Sequence, residues 1–380
     1  MEPFTIHVPD DVLVDLKERL KRTRFPNQLD GAGWDYGTEL GYLRELVDYW
    51  LNDFDWRAQE EALNTFSHFR MEVNGLGMHF IHERSPHEDA LPLIITHGWP
   101  GSIFEFHKII SKLTRPEEYG GDKTDAFHVV CPSIPGYGFS DAPRKPGFDV
   151  KEAAVHNVAL MEQLGYTRYG AQGGDWGSVI SSWTAVLAPE QVCGLHLNMV
   201  LAWPPRGEDT PPELTEEEVR RLGDARKFQK EETGYQRIQG TKPQTLGYGL
   251  TDSPAGLAAW IVEKFRTWSD CNGDVESRFT KDELLTSIMI YWINENIASS
   301  TRLYYETYKA KHSGPPKEYV EAPTACAVFP KELSRLPRSW AERSYNITRW
   351  TEMPKGGHFA AMEEPDLLVE DIRAFFKTLR

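Results

Sequence analysis

The chain has 380 residues, of which 40% are hydrophobic and 26% charged, and its formal net charge is −15. This balance is that of a soluble globular protein with room for one large α/β domain and an inserted module, and its acidity excludes nucleic acid as a partner. The four cysteines show no C-x-x-C pairing, and the N-terminus lacks the pattern of a signal peptide. No apolar run approaches the roughly 18 residues of a membrane span. We therefore expect a reducing compartment, no disulfide framework and no membrane association.

The first zone, residues 1–66, is helical and rich in aromatic residues. Leu13, Leu16 and Leu20 follow helical spacing, and the same spacing returns between Leu40 and Trp50. The pattern predicts a helical segment that packs on a larger body.

From residue 68 the hydrophobic period changes from helical to two. Residues 68–83 predict a β-hairpin, because Asn74-Gly75 is a strong signal for a two-residue turn. Strands then alternate with helices, which indicates a mostly parallel sheet covered on both faces. The predicted strands are 91–96, 127–131, 166–172, 192–199, 324–329 and 345–353, and the predicted helices are 103–113, 150–164, 178–187 and 365–379.

Residues 204–320 break this alternation with a polar, mostly helical region. Four prolines open it, namely Pro204, Pro205, Pro211 and Pro212. A helical insertion in a strand–helix series predicts a lid above the carboxyl ends of the strands, where such proteins bind ligands. The sheet-forming core would then consist of residues 67–203 and 321–380.

Asp175 is the leading candidate for a nucleophile. It follows a predicted strand and precedes a helical pattern, with Gly173 and Gly177 two residues to either side. Small residues at those places permit the sharp strand–turn–helix elbow that exposes a nucleophile. A carboxylate needs no activating base, and it forms an ester with an electrophilic carbon. The glycine spacing fits neither a dinucleotide fingerprint nor a P-loop.

His358 is the expected base. It lies behind two glycines between the last predicted strand and the last helix, which is where elbow-type hydrolases carry their histidine. Glu332 follows the next-to-last strand, so we expect it to orient His358. Glu363 and Asp366 lie nearer in sequence, but they begin a helix, where acids are favoured by the helix dipole.

The segment 97–102 supplies the remaining part of the expected site. It ends the strand 91–96, and the second amide of an oxyanion hole comes from such a loop, the first being the residue after the nucleophile. We therefore expect the backbone amides of Trp99 and Trp176 to be the donors. The tight turn favours a cis bond before Pro100.

Together these motifs resemble the epoxide hydrolases of the α/β-hydrolase fold, in particular the microsomal and juvenile-hormone type with its soluble fungal and bacterial relatives. Residues 136–140, Gly-Tyr-Gly-Phe-Ser, add to the resemblance. Residues 1–83 resemble the family's N-terminal meander, 243–268 its lid, and 322–365 its acid and histidine region.

The resemblance implies several further properties. Two lid tyrosines hold the epoxide oxygen in that family, and Tyr235 and Tyr304 match them, with Tyr305 as the alternative to the second. The expected partners are a small-molecule epoxide and water, and no cofactor or metal is expected. The microsomal enzymes carry an N-terminal membrane anchor, whereas this chain begins at the meander, which predicts a soluble cytoplasmic protein.

The expected reaction converts an epoxide to a vicinal diol through an ester on Asp175. The abundance of Trp and Tyr favours an aryl or bulky apolar substrate. A haloalkane dehalogenase would use the same nucleophile, but Trp99 stands where a polar halide-binding residue is typical of that class. A non-catalytic binding protein on a hydrolase scaffold is the other alternative.

Overall fold

A single sheet organises the protein, whose computed structural model describes residues 1–203, 214–311 and 314–380. Within those residues the strands are β1 (Glu2–Pro3), β2 (His68–Val73), β3 (Leu76–Glu83), β4 (Leu91–Thr96), β5 (Phe127–Pro132), β6 (Tyr169–Gly173), β7 (Val192–Leu197), β8 (Val320–Val328) and β9 (Tyr345–Glu352). Their order is β1-β2-β3-β5-β4-β6-β7-β8-β9. Strands β4 to β9 run parallel, and β1, β2 and β3 add an antiparallel edge, which confirms the predicted mostly parallel sheet.

Helices surround the sheet and cover its carboxyl edge. In chain order they are α1 (Asp10–Lys21), α2 (Leu40–Asn52), α3 (Trp56–Leu63), α4 (Ile110–Thr114), α5 (Val150–Gln163), α6 (Asp175–Leu187), α7 (Glu216–Glu231), α8 (Gly234–Gln239), α9 (Pro243–Asp252), α10 (Pro254–Trp268), α11 (Lys281–Ile293), α12 (Ile297–Lys309), α13 (Arg338–Ala341), α14 (Ala360–Glu363) and α15 (Pro365–Phe376). Among the described residues, none of these helices combines the length and apolarity needed to cross a bilayer.

Strand β4 shows why both faces of the sheet need helices. Leu93 packs in a buried cluster with Ile372 of α15, whereas the next residue, Ile94, packs in another cluster with Leu160 of α5. Successive side chains of a strand point to opposite faces, so an apolar run is stable only when both faces are covered. The burial of this run therefore holds β4 and the loop that follows it in the centre of the molecule.

The hairpin of β2 and β3 is confirmed, and its turn has the predicted chemistry. Asn74 and Gly75 have φ values of 49° and 81°, and Val73 pairs with Leu76. Positive φ at both central residues matches the twist of the flanking strands, which is why Asn-Gly favours this turn.

The prediction of one continuous helix over 103–113 was wrong. The structure divides it into a 3-10 turn, Ile103–Phe106, and the short helix α4. The Ser102 side chain accepts a hydrogen bond from the Phe104 amide at 3.2 Å, and this cap begins a tight turn that does not continue as an α-helix. Helix α6 begins at Asp175, three residues before the predicted start, and β6 begins at Tyr169.

The N-terminal helices pack on the helical region beyond β7. Leu16 and Trp50 share one buried cluster with Phe265 of α10 and Ile288 of α11. The Tyr49 hydroxyl also donates to a carboxylate oxygen of Asp282 at 3.0 Å. The first three helices thus lie against the predicted lid.

The predicted lid is described from residue 214 onward. It consists of α7 to α12, whereas the four prolines expected to open it lie outside the described residues. Thr215 and Thr280 begin α7 and α11 with complete capping boxes, in which a glutamate three residues later returns the hydrogen bond. These local signals give the insertion well-defined helix starts.

Candidate active site

Asp175 stands at the turn between β6 and α6 in a backbone conformation that few residues adopt. Its φ is 48°, in the left-handed region, where aspartate is tolerated better than most side chains. A Cβ atom at Gly177 would lie 1.8 Å from the carbonyl oxygen of Thr96. The glycine therefore lets α6 begin against the end of β4, and this close approach presents the Asp175 carboxylate at the carboxyl edge of the sheet.

The loop after β4 binds one of the two carboxylate oxygens. The amide of Trp99 donates to Asp175 Oδ1 at 2.8 Å, and the bond between Trp99 and Pro100 is cis, as predicted. His97 orders the loop, because its Nε2 accepts from the Ile134 amide at 3.2 Å. Burial lowers the pKa of His97 to about 4, so the ring stays neutral and keeps this acceptor.

Gly98 leaves the space that the Asp175 carboxylate occupies when it accepts the hydrogen bond from the Trp99 amide. A Cβ atom there would lie 2.1 Å from Asp175 Oδ1. We expect Gly98→Ala to displace the carboxylate and to lower kcat/KM at least about 100-fold, because misplacing a reacting group by about 1 Å has that effect. Circular dichroism and epoxide turnover test this expectation. A folded variant with the wild-type kcat/KM would contradict the close contact.

The amide of Trp176 belongs to the first turn of α6. The N–H groups of a first turn have no partner within the helix, so this amide is available beside Asp175. The Trp176 ring meets the ring of Tyr304 edge-on, with centroids 4.8 Å apart. The backbone amide of Trp176 is thus a hydrogen-bond donor beside Asp175, and its side chain lines the cavity.

His358 lies between the two carboxylates that the sequence selects. Its Nε2 is 3.4 Å from Asp175 Oδ2, and its Nδ1 is 2.7 Å from Glu332 Oε1. The alternatives to Glu332 lie elsewhere: Glu363 accepts hydrogen bonds from backbone amides, and Asp366 pairs with Lys112 on the surface. The structure therefore brings Asp175, His358 and Glu332 into one chain of contacts.

The charges around His358 favour the protonated form of its ring. Burial alone lowers the pKa of His358, but the carboxylates of Glu332 and Asp175 outweigh burial and raise it well above its usual value. An ester on Asp175 would remove one of these charges. The pKa of His358 would then fall at the stage when a base is needed.

A cavity of about 250 Å³ lies above Asp175 and beneath the helical region. Tyr235 and Tyr304 line it and are both buried, and their ring centroids are 6.1 Å apart. Tyr305 is less buried, does not line the cavity and lies under Lys309. The structure thus places Tyr304, and not Tyr305, at the cavity.

Both phenols are held in their neutral form. Burial, followed by nearby groups that include Asp175, raises the pKa values of Tyr235 and Tyr304 well above 10. They therefore remain hydrogen-bond donors across the neutral and mildly alkaline range.

Four further residues at the site were not predicted from the sequence. Helical spacing could have identified Tyr308, which follows Tyr304 by four residues on α12. Lys264 precedes Trp268 by four residues on α10, but nothing in the sequence connects that pair with the site. The carbonyl of Trp268 accepts the His358 amide at 3.0 Å, and Gln236 donates to the Tyr235 hydroxyl at 2.9 Å. The Trp268–His358 contact joins two segments that only folding brings together, and although Gln236 directly follows Tyr235, nothing in the sequence shows that its amide reaches that hydroxyl.

Comparison with known protein families identifies two matching regions. Residues 1–106 match the family model described as the epoxide hydrolase N terminus, and residues 92–240 match the alpha/beta hydrolase fold. The predicted fold class is thereby confirmed.

Similar proteins match along nearly the whole chain. A Stigmatella aurantiaca protein, provisionally called an epoxide hydrolase, is 46% identical over a match that covers 100% of this chain and 85% of the relative. Epoxide hydrolase 1 of Sus scrofa is 41% identical, with coverage of 100% and 89%. The crystal structure of juvenile hormone epoxide hydrolase from Bombyx mori superposes with a TM-score of 0.92 at 34% identity, covering 100% of this chain and 94% of that one.

Proposed function

The chain belongs to the epoxide hydrolase family, and on that premise we propose which residues convert the epoxide to a vicinal diol. The observation that carries the proposal is that the two carboxylate oxygens of Asp175 have different contacts. One oxygen is bound by the Trp99 amide, and the other lies on the side of His358. A carboxylate held in this way keeps Oδ2 without a backbone hydrogen bond, and we assign the attack to that oxygen.

In the first step Asp175 Oδ2 attacks an epoxide carbon from the face opposite the ring oxygen. A bond forms between Oδ2 and carbon as the carbon–oxygen bond of the ring breaks. Tyr235 and Tyr304 donate hydrogen bonds to the departing oxygen, which is a poor leaving group without a proton donor. Oδ1 becomes the carbonyl oxygen of the ester.

In the second step His358 takes a proton from water, and the water oxygen attacks the ester carbonyl. Glu332 holds the imidazole through Nδ1 and stabilises the charged ring that forms. The negative charge on Oδ1 is stabilised by the amides of Trp99 and Trp176, each worth about 3 kcal/mol in such a site. Collapse of the intermediate passes the proton from His358 to the departing diol oxygen, releases the diol and restores the carboxylate.

We propose an aryl or otherwise apolar epoxide as substrate, with residues 214–311 acting as the lid. Apolar side chains from both the core and the lid line the cavity, including Val179, Met199, Leu201 and Phe228. Their surface favours an apolar group, and a volume of about 250 Å³ lies below the usual 300–1,000 Å³ of sites for drug-sized ligands. A compact aryl epoxide such as styrene oxide is therefore the first substrate to test.

A single turnover in ¹⁸O-water with enzyme in excess tests the covalent route. The new diol oxygen is expected to come from the unlabelled Asp175 carboxylate, and label is expected to enter the enzyme. Mass spectrometry of the diol and of the peptide containing Asp175 measures both. Label appearing directly in the first diol would mean that water attacks the epoxide itself.

The same preparation separates the proposal from the dehalogenase alternative. We expect diol formation from epoxides and no chloride release from a panel of haloalkanes, because the lid offers two phenols suited to an alkoxide. A binding protein without catalysis would show neither product.

A further inference from the structure

A buried lysine lies against one of the two lid tyrosines. Lys264 of α10 is 6% exposed, and its Nζ is 4.7 Å from the centroid of the Tyr235 ring. It also lies 5.8 Å from the ring of Trp268 and forms an ion pair with the neighbouring Glu263. Lysine is rarely buried even when it is paired, and the reaction proposed above gives this one no task.

The environment of Tyr304 differs. Its neighbours are aromatic edges, those of Trp176, Trp99 and Tyr308, with ring centroids 4.8, 6.0 and 6.2 Å away. In the part of the chain that the structure describes, no lysine or arginine lies over its ring. Two phenols with the same expected role therefore face unequal surroundings.

Gln236 adds to this difference. Its side-chain amide donates to the Tyr235 hydroxyl oxygen at 2.9 Å. That oxygen is thus an acceptor of a hydrogen bond from Gln236, which leaves its own proton to be directed to another group. A donated hydrogen bond also favours the phenolate over the phenol.

We propose that Lys264 is a positioning residue that makes Tyr235, rather than Tyr304, the acid that gives its proton to the opened epoxide oxygen. The inference rests on the proposed function and deepens it. A cation within about 6 Å of an aromatic ring is attracted to its face, and the attraction grows as the ring becomes anionic. Glu263 offsets part of this charge, although its side chain is more exposed than that of Lys264, at 19% against 7%.

The proton balance is complete within the reaction. As the ester bond forms and the ring carbon–oxygen bond breaks, the Tyr235 proton moves to the departing oxygen and a phenolate remains beside Lys264. Tyr304 keeps its proton and contributes a hydrogen bond. In the second step water supplies two protons, of which one ends on the diol and the other restores the phenol of Tyr235.

The test measures the rate of ester formation by stopped-flow tryptophan fluorescence in single turnovers with styrene oxide. Lys264→Met, which keeps the length of the side chain and removes its charge, is expected to slow alkylation about tenfold at saturating substrate. Half-saturation is expected at the wild-type concentration. If Lys264→Met does not fold, Lys264→Gln serves the same comparison.

A double-mutant cycle distinguishes this role from packing. In a Tyr235→Phe background the ring and its contact with Lys264 remain but the proton is gone, so Lys264→Met is expected to have no further effect. In a Tyr304→Phe background the tenfold loss is expected to persist. Equal losses in both backgrounds would overturn the proposal, and so would a loss that disappears only with Tyr304→Phe.

Lys309→Met is the matched control. Lys309 Nζ lies 5.7 Å from the ring of Tyr305, a lysine–tyrosine pair on α12 outside the cavity. The alkylation rate of the Lys309→Met variant is expected to equal that of the wild type. A tenfold loss in this control would mean that any change of charge in the lid slows alkylation, and it would overturn the role assigned to Lys264. Absence of any alkylation in the wild-type protein would instead contradict the proposed function.

Discussion

His358→Gln is expected to stop the reaction at the ester on Asp175. A carboxylate attacks without a base, so alkylation continues, whereas hydrolysis of the ester loses its proton acceptor. General bases contribute about 10²–10⁴-fold, and we expect ester hydrolysis to slow by that factor. Intact-protein mass spectrometry after mixing with styrene oxide should show an adduct with the mass of the substrate.

The control for this variant is His7→Gln, because His7 is exposed and far along the chain from the site. It is expected to turn over normally and to accumulate no adduct. A folded His358→Gln protein that forms no adduct with a good substrate would contradict the separation of attack and hydrolysis.

Glu332→Gln should give a weaker form of the same defect. The amide keeps the shape of the side chain but removes the charge that stabilises the protonated imidazole 2.7 Å away. A wild-type hydrolysis rate in this variant would transfer the role of the acid to another carboxylate.

The pH dependence of the two steps is expected to differ in sign. Ester hydrolysis requires neutral His358, so its rate should fall as the pH falls through the pKa of the histidine in the ester form. That pKa is expected to be lower than in the free enzyme, because the Asp175 charge that raises it is absent from the ester. Alkylation requires protonated phenols, so its rate should fall only as the pH rises above about 10, since burial raises both tyrosine pKa values beyond that of a free phenol.

The double variant Tyr235→Phe/Tyr304→Phe is expected nearly to abolish alkylation. Each single change should slow it, because the departing oxygen loses one donor, and the pair leaves it with neither. Both rings stay in place, so the aromatic packing that buries them is retained and folding should survive. Stopped-flow fluorescence reports the step directly, because Trp99 and Trp176 lie beside the reacting carboxylate.

Tyr305→Phe is the matched control for the tyrosine variants. It changes the adjacent residue on the same helix, whose ring lies outside the cavity. The alkylation rate is expected to be unchanged. If Tyr305→Phe slowed alkylation and Tyr304→Phe did not, the second lid tyrosine would have been assigned one residue too early.

Local sequence signals were sufficient to predict strands β2 to β9 and the sharp turn at Asp175, but not the short edge strand β1 within the zone expected to be helical. The Asn74-Gly75 turn, the apolar strand runs and the glycines around Asp175 each act over a few residues, because backbone conformation and strand burial depend on local side chains. The choice of His358 rested on the order of elements along the chain. These features required no knowledge of which distant segments meet.

Long-range packing decided the rest. The order of elements favoured Glu332 over Glu363, but only the folded chain brings Glu332 to His358 while Glu363 binds backbone amides. The sequence predicts only an ordinary turn at Gly98, whereas the structure shows the Asp175 carboxylate packed directly against it. Lys264 lies in an amphipathic helix, where a lysine usually faces water, but α10 turns it toward Tyr235. Such contacts join residues dozens of positions apart, and their energies depend on distance and burial, which are properties of the tertiary structure.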